Sequence, residues 1–89
     1  MKKDIGIVIK ACRNHCGLKQ SYVAFKLGIT VNSYANIEHG RVELSISKLY
    51  LLASLFGLQA HQIVALAEEI AQYRGCHFLS AAIKKMSKA

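Results

Sequence analysis

Glycines at positions 17, 28, 40, 57 and 75 cut a chain without a single proline into short segments of helical periodicity. Glycine is the residue that most readily takes the left-handed conformation ending a helix. Between these stops, apolar residues recur every three or four positions and no alternating strand pattern survives, so helices are favoured and strands are not. Ile5, Val8, Ile9, Cys12 and Cys16 make the first stripe, predicting a helix over 5–16 with Asp4 as its N-cap. A second helix is expected at 20–27, with Val23, Ala24 and Leu27 inward. A third covers 31–38, capped by Thr30, with Tyr34 and Ile37 inward. Ser45 caps a fourth at 46–56, whose inward set is Ile46, Leu49, Leu52, Ala53 and Phe56. The fifth spans 60–73 on Ile63, Leu66, Ala67, Ile70 and Tyr73. A sixth, 77–86, carries Phe78, Leu79, Ala82, Ile83 and Met86. The fold class is all-α.

At 89 residues the chain has the length of one small domain, and 53% hydrophobic residues suffice for a core. No apolar run approaches the roughly 18 residues of a membrane-spanning helix. The opening "MKKDIGIVIKACR" starts like a signal peptide, but Asp4, Lys10 and Arg13 cut its apolar run short. The expected location is cytoplasmic, with no membrane partner. Net charge is +7, and residues 1–48 carry eight Lys/Arg against three Asp/Glu. Such a basic half points to an anionic partner, most often nucleic acid.

Three cysteines, an odd number, argue against a closed disulfide framework. Cys12 and Cys16, with His15 between them, are zinc-ligand types, as are Cys76 and His77. The C-x3-C spacing falls inside an amphipathic helix, however, and no second close pair completes four ligands. Both residues share the face of Ile5, Val8 and Ile9, which favours buried core cysteines. No metal and no cofactor are expected.

Helices two and three are short and joined only by Gly28, Ile29 and Thr30. Glycine at that junction permits a positive φ and a sharp turn between the helices. Ala24 suits a close helix–helix contact, Thr30 caps the third helix, and Ile37 ties it to the core. The joint pattern is a helix-turn-helix. The third helix then presents Val31, Asn32, Ser33, Ala35 and Asn36 outward. Asn32 and Asn36, four apart, share a face. An asparagine can make a two-point contact to adenine worth about 1–3 kcal/mol of discrimination, and Val31 can meet a thymine methyl. Ser33 can reach a base or a phosphate.

The stretch "GLKQSYVAFKLGITVNSYANIEHGRVELSISKLYLLASLFGL" resembles the helix-turn-helix domain of phage-repressor and Cro-like regulators, the XRE-type family. Residues 5–66 follow that pattern without a gap. The resemblance implies a five-helix repressor-like DNA-binding domain at 1–67, with a C-terminal helical extension at 68–89. Its implied partner is double-stranded DNA, bound as a homodimer on a two-fold operator, with the helix 31–38 in the major groove. The implied base readers are Val31, Asn32, Ser33 and Asn36. An ion pair between Arg13 and Glu38 is implied as structural support. Gln20 is implied to touch a phosphate, and His39 and Arg41 fall where the family contacts the sugar-phosphate backbone. Ser45 and Ser47 sit at the start of helix four, where backbone N–H groups favour an anion. Lys19 departs from the pattern, which usually has a capping Ser, Thr or Asn there; a lysine at that edge can meet a phosphate instead. The proline common before helix four is also missing.

The extension offers Tyr73, Phe78 and Ile83, with Ile63, Leu66 and Ile70 of helix five, either to the core or to a dimer interface. Sequence does not divide those two roles. Only five carboxylates and four scattered histidines exist, and no nucleophile–base–acid set or phosphate-binding glycine loop is visible, so no enzyme activity is expected. Two other readings use the same domain. One is an antitoxin or restriction-modification controller with a protein partner on the extension. The other is a protein-interaction module that has lost DNA binding.

Overall fold

A computed structural model describes residues 1–73 and Ile83. Residues 1–73 form five helices: α1 (Lys2–His15), α2 (Gln20–Leu27), α3 (Val31–Glu38), α4 (Ile46–Phe56) and α5 (Ala60–Tyr73). No strand occurs among the described residues. None of the described helices is by itself long and apolar enough to cross a membrane.

The expected bounds of α2 to α5 match those observed, because their end signals are local. The Thr30 hydroxyl accepts from the Ser33 N–H at 3.1 Å, and the Ser45 hydroxyl accepts from the Lys48 N–H at 3.2 Å. At the other end of α2, Gly28 takes φ +71°. Its N–H donates to the Phe25 carbonyl, and the Ile29 N–H to the Ala24 carbonyl, both at 3.1 Å. The paired bonds reverse the chain into α3 within three residues.

Helix α1 departs from expectation at both ends. It begins at Lys2, with Met1 as N-cap, and the Ile5 N–H already donates to the Met1 carbonyl at 2.9 Å. Asp4 is therefore not the cap. Its carboxylate lies in the first turn, 3.6 Å from the Met1 amino group, where the positive end of the helix favours an anion. The apolar stripe marks only the buried part of the helix; the charged turn before it is helical without being part of the core. Cys16 is the C-cap rather than the last helical residue.

Val8, Ile9 and Cys12 of α1, Val23 and Ala24 of α2, Tyr34 of α3, Leu52, Ala53 and Phe56 of α4, and Ile63, Leu66 and Ala67 of α5 are all buried together. Cys12 is a core residue, and burial, reinforced by Cys16, pushes its thiol up to about 12. Ile46 was expected inward and is instead 71% exposed. As the first residue of α4 it precedes the turn that meets the core. Ile63, Leu66 and Ile70 belong to the core, and Ile83 is helical and buried in the same cluster. Helix α5 runs through the expected boundary at 67/68 without a break. The side chain of Tyr73, and Cys76, His77, Phe78 and the rest of the expected sixth helix, lie outside the described residues.

Two close approaches set α1 against the end of α3. A Cβ on Gly6 would lie 2.5 Å from the Glu38 carbonyl oxygen and 2.6 Å from that of Ile37. One on Gly40 would lie 2.5 Å from the Lys3 Cα. Glycine at both positions lets the two backbones meet with no side chain between them.

Candidate nucleic-acid interface

Helix α3 is split by face. Tyr34, Ile37 and Glu38 are buried, while Val31, Asn32 and Ser33 are exposed and Asn36 is half-buried. The inward side is held by an ion-pair network centred on Glu38, whose residue is only 5% exposed. Arg13 of α1 donates from Nε to Glu38 Oε2 at 2.6 Å and from Nη2 to Oε1 at 3.3 Å. Gln20 of α2 donates from Nε2 to Oε1 at 2.9 Å, and the Tyr34 hydroxyl donates to Oε2. Arg13 also donates from Nη1 to the Leu18 carbonyl at 2.8 Å, just before α2. One carboxylate thus ties together α1, α2 and α3.

Electrostatics follow from that geometry. Burial by itself would raise the Glu38 carboxyl, but hydrogen bonds from Arg13, Tyr34 and Gln20 outweigh it and hold the group below the ordinary carboxylate range. The Arg13 guanidinium is raised, chiefly by its hydrogen bond to Glu38. Tyr34 is raised by burial and then by the neighbouring carboxylate, so it remains a donor. No buried side-chain N or O atom lacks a partner among the described residues.

The sequence residues expected at the nucleic acid occupy several different environments. Asn32 and Val31 stand free on the outer face. The Ser33 hydroxyl accepts from Thr30 at 3.0 Å, which fixes the oxygen and leaves its own proton to donate. Asn36 accepts at Oδ1 from Arg41 Nη1 at 3.2 Å, so two residues assigned separately act as a pair. The Gln20 side chain is committed to Glu38, while its backbone N–H, in the first turn of α2, has no intrahelical partner. Lys19 is the N-cap without a side-chain cap bond, and it is exposed. His39, Arg41, Ser45 and Ser47 are exposed as well.

A groove of about 330 Å³ separates α3 from the start of α4, with Ser33 and Asn36 on one side and Ser45 and Lys48 on the other. Sequence reasoning missed Lys48, although its position three residues after the cap Ser45 places it in the first turn of α4. It also missed Glu43, the acidic residue of that groove, and the hydroxyl role of Tyr34. A phenol four residues before a glutamate on one helix was the available signal for the last.

A family model described as helix-turn-helix matches residues 9–63, more than half of the chain and all of α2, α3 and α4. No curated protein and no solved structure matches.

Proposed function

The chain belongs to the XRE-type, Cro-like helix-turn-helix family, whose members are DNA-binding regulators, and on that premise we propose that it reads specific DNA sequence as a homodimer on a two-fold operator. Helix α3 enters the major groove. Asn32, Ser33 and Asn36 meet base edges, and Val31 supplies an apolar contact. Lys19, His39, Arg41, Lys48, the Gln20 N–H and the start of α4 at Ser45 and Ser47 hold the phosphates. The protein acts by occupying its site and not by catalysis.

The observation that carries this reading is the division of α3. Its inner face is immobilised by Tyr34, Ile37 and the four-residue Glu38 network, while its outer face spends asparagine, serine and valine on solvent. A reader of base edges needs that combination, because a hydrogen-bonding side chain discriminates only when its backbone cannot drift. The net charge of +7 supplies the sequence-independent attraction.

Selection of bound sequences from a random DNA pool tests the proposal. The expected product is a two-fold motif whose half-sites are one helical turn apart, about 34 Å. Affinity for it should fall steeply as salt rises. Failure to bind any DNA at low salt would overturn the reading.

A further inference from the structure

The outward side of α4 carries no charge. Ile46, Tyr50 and Ser54 follow one another at four-residue spacing, with Ser47 and Leu51 beside them, so the five share one face. Ile46 is 71% exposed, Tyr50 63% and Leu51 49%, and both serines are exposed. Large apolar side chains exposed together mark an interaction surface, whereas single ones are ordinary. The other outer faces differ. Exposed residues of α1 include Lys2, Lys3 and Lys10 and those of α5 include Glu68 and Glu69; α2 also exposes Tyr22 (43%) and Phe25 (77%), but with Lys26 5.6 Å from the Tyr22 ring.

Charge selects the occupant. An acidic partner would be drawn to the lysine-bearing sides of a chain at +7, and the α4 face offers it no cation. A second copy meets the opposite situation, since two basic chains repel wherever both present lysines and close most readily on an uncharged surface. Ser54 leaves room between the large side chains for a facing helix, while Ser47, at the DNA-side end of the face, stays with the phosphates. Ile63, Leu66 and Ile70 of α5 are already used by the core of their own chain.

We infer that the outer face of α4 is where a second copy of this chain docks, with the two α4 helices parallel and each residue opposite its own counterpart. The orientation, though not the choice of face, rests on the DNA-reading proposal. Ser45 and Lys48 line the same groove as Ser33 and Asn36, so α4 begins on the base-reading side. A two-fold axis running along parallel α4 helices brings both base-reading ends to one end of the pair, where a single duplex can meet them. The contact is isologous, as a two-fold requires.

The test uses Tyr50→Asp and Tyr50→Lys in the full chain. In a concentration series, the unsubstituted protein should reach twice its 9.8 kDa mass in solution, without DNA. Each variant alone should keep its helical circular dichroism and stay at the single-chain mass. Mixing the two should restore the dimer, because the parallel pairing sets position 50 against position 50. On a duplex with two half-sites, each variant should lose the roughly hundredfold avidity gain of linked binding. A dimer that survives in both variants, an unsubstituted chain that never dimerises, or a mixture that stays monomeric would overturn the inference. If association follows the expected pattern but no DNA binds, the DNA-reading proposal fails and the docking face stands.

Discussion

Gly6 of α1 lies so close beneath the end of α3 that a β-carbon on it would stand 2.5 Å from the Glu38 carbonyl oxygen. In a free helix, replacing glycine by alanine stabilises by about 1 kcal/mol. Here the sign reverses. The obstructing atoms are backbone and cannot rotate away, so Gly6→Ala must push α1 off α3, an overpacking cost of about 1–3 kcal/mol. Thermal unfolding should show a lowered midpoint. An unchanged or raised midpoint would mean that the two helices are not in contact there.

Removing the hub of the ion-pair network should cost more. Glu38→Ala leaves the Arg13 guanidinium, the Gln20 amide and the Tyr34 hydroxyl without their shared acceptor. Breaking one side of a buried pair costs about 3–5 kcal/mol, a large part of the 5–15 kcal/mol typical of a domain. Urea denaturation should report a loss of that size. A loss below about 1 kcal/mol would reduce the network to a surface ornament.

The same carboxylate makes stability depend on pH. Its folded-state pKa lies below the ordinary range, so on acidification the unfolded chain takes up this proton before the folded one. The stabilisation is therefore complete at neutral pH, begins to fall near the ordinary glutamate value of about 4.3, and is lost below the folded pKa. Urea midpoints measured from about pH 7 down to about pH 3 should fall, and Glu38→Gln should flatten that decline. An equal decline in the variant would assign the acid sensitivity to other groups.

Asn36 and Arg41 share a hydrogen bond at 3.2 Å, whereas no side-chain bond involves Asn32 among the described residues. For DNA binding, Asn36→Ala and Arg41→Ala should therefore be non-additive by about 0.5–3 kcal/mol, while Asn32→Ala and Arg41→Ala should add. Titrations of the three single and two double variants against one operator would settle both cycles. Simple additivity for the 36/41 pair would leave Arg41 a phosphate contact alone.

Asn32→Ala should relax discrimination at one base pair by about 1–3 kcal/mol and leave the unfolding midpoint unchanged, because the side chain is exposed. Equal weakening on operator and random DNA would remove it from the base readers.

What could be read from the sequence was what neighbouring residues decide among themselves. Thr30 and Ser45 cap the N–H three residues on, Gly28 turns the chain by its own φ, and the three-to-four spacing of Val8, Ile9 and Cys12 or of Ile63, Leu66 and Ile70 separates inside from outside. The bounds of four helices and the two faces of α3 followed from these local rules. Where α1 begins was less legible, since a charged turn such as Lys2–Asp4 leaves no apolar signature. The resemblance to repressors supplied the pairing of Arg13 with Glu38, but neither Gln20 nor the Tyr34 hydroxyl was placed on that carboxylate. Only the tertiary structure brought residues 6, 13, 20, 34 and 38 within ångströms of one another, left Ile46 outside the core, and coupled Asn36 to Arg41. Capping and periodicity act over a turn or less, whereas those contacts depend on how the helices are docked, a geometry that no local pattern encodes.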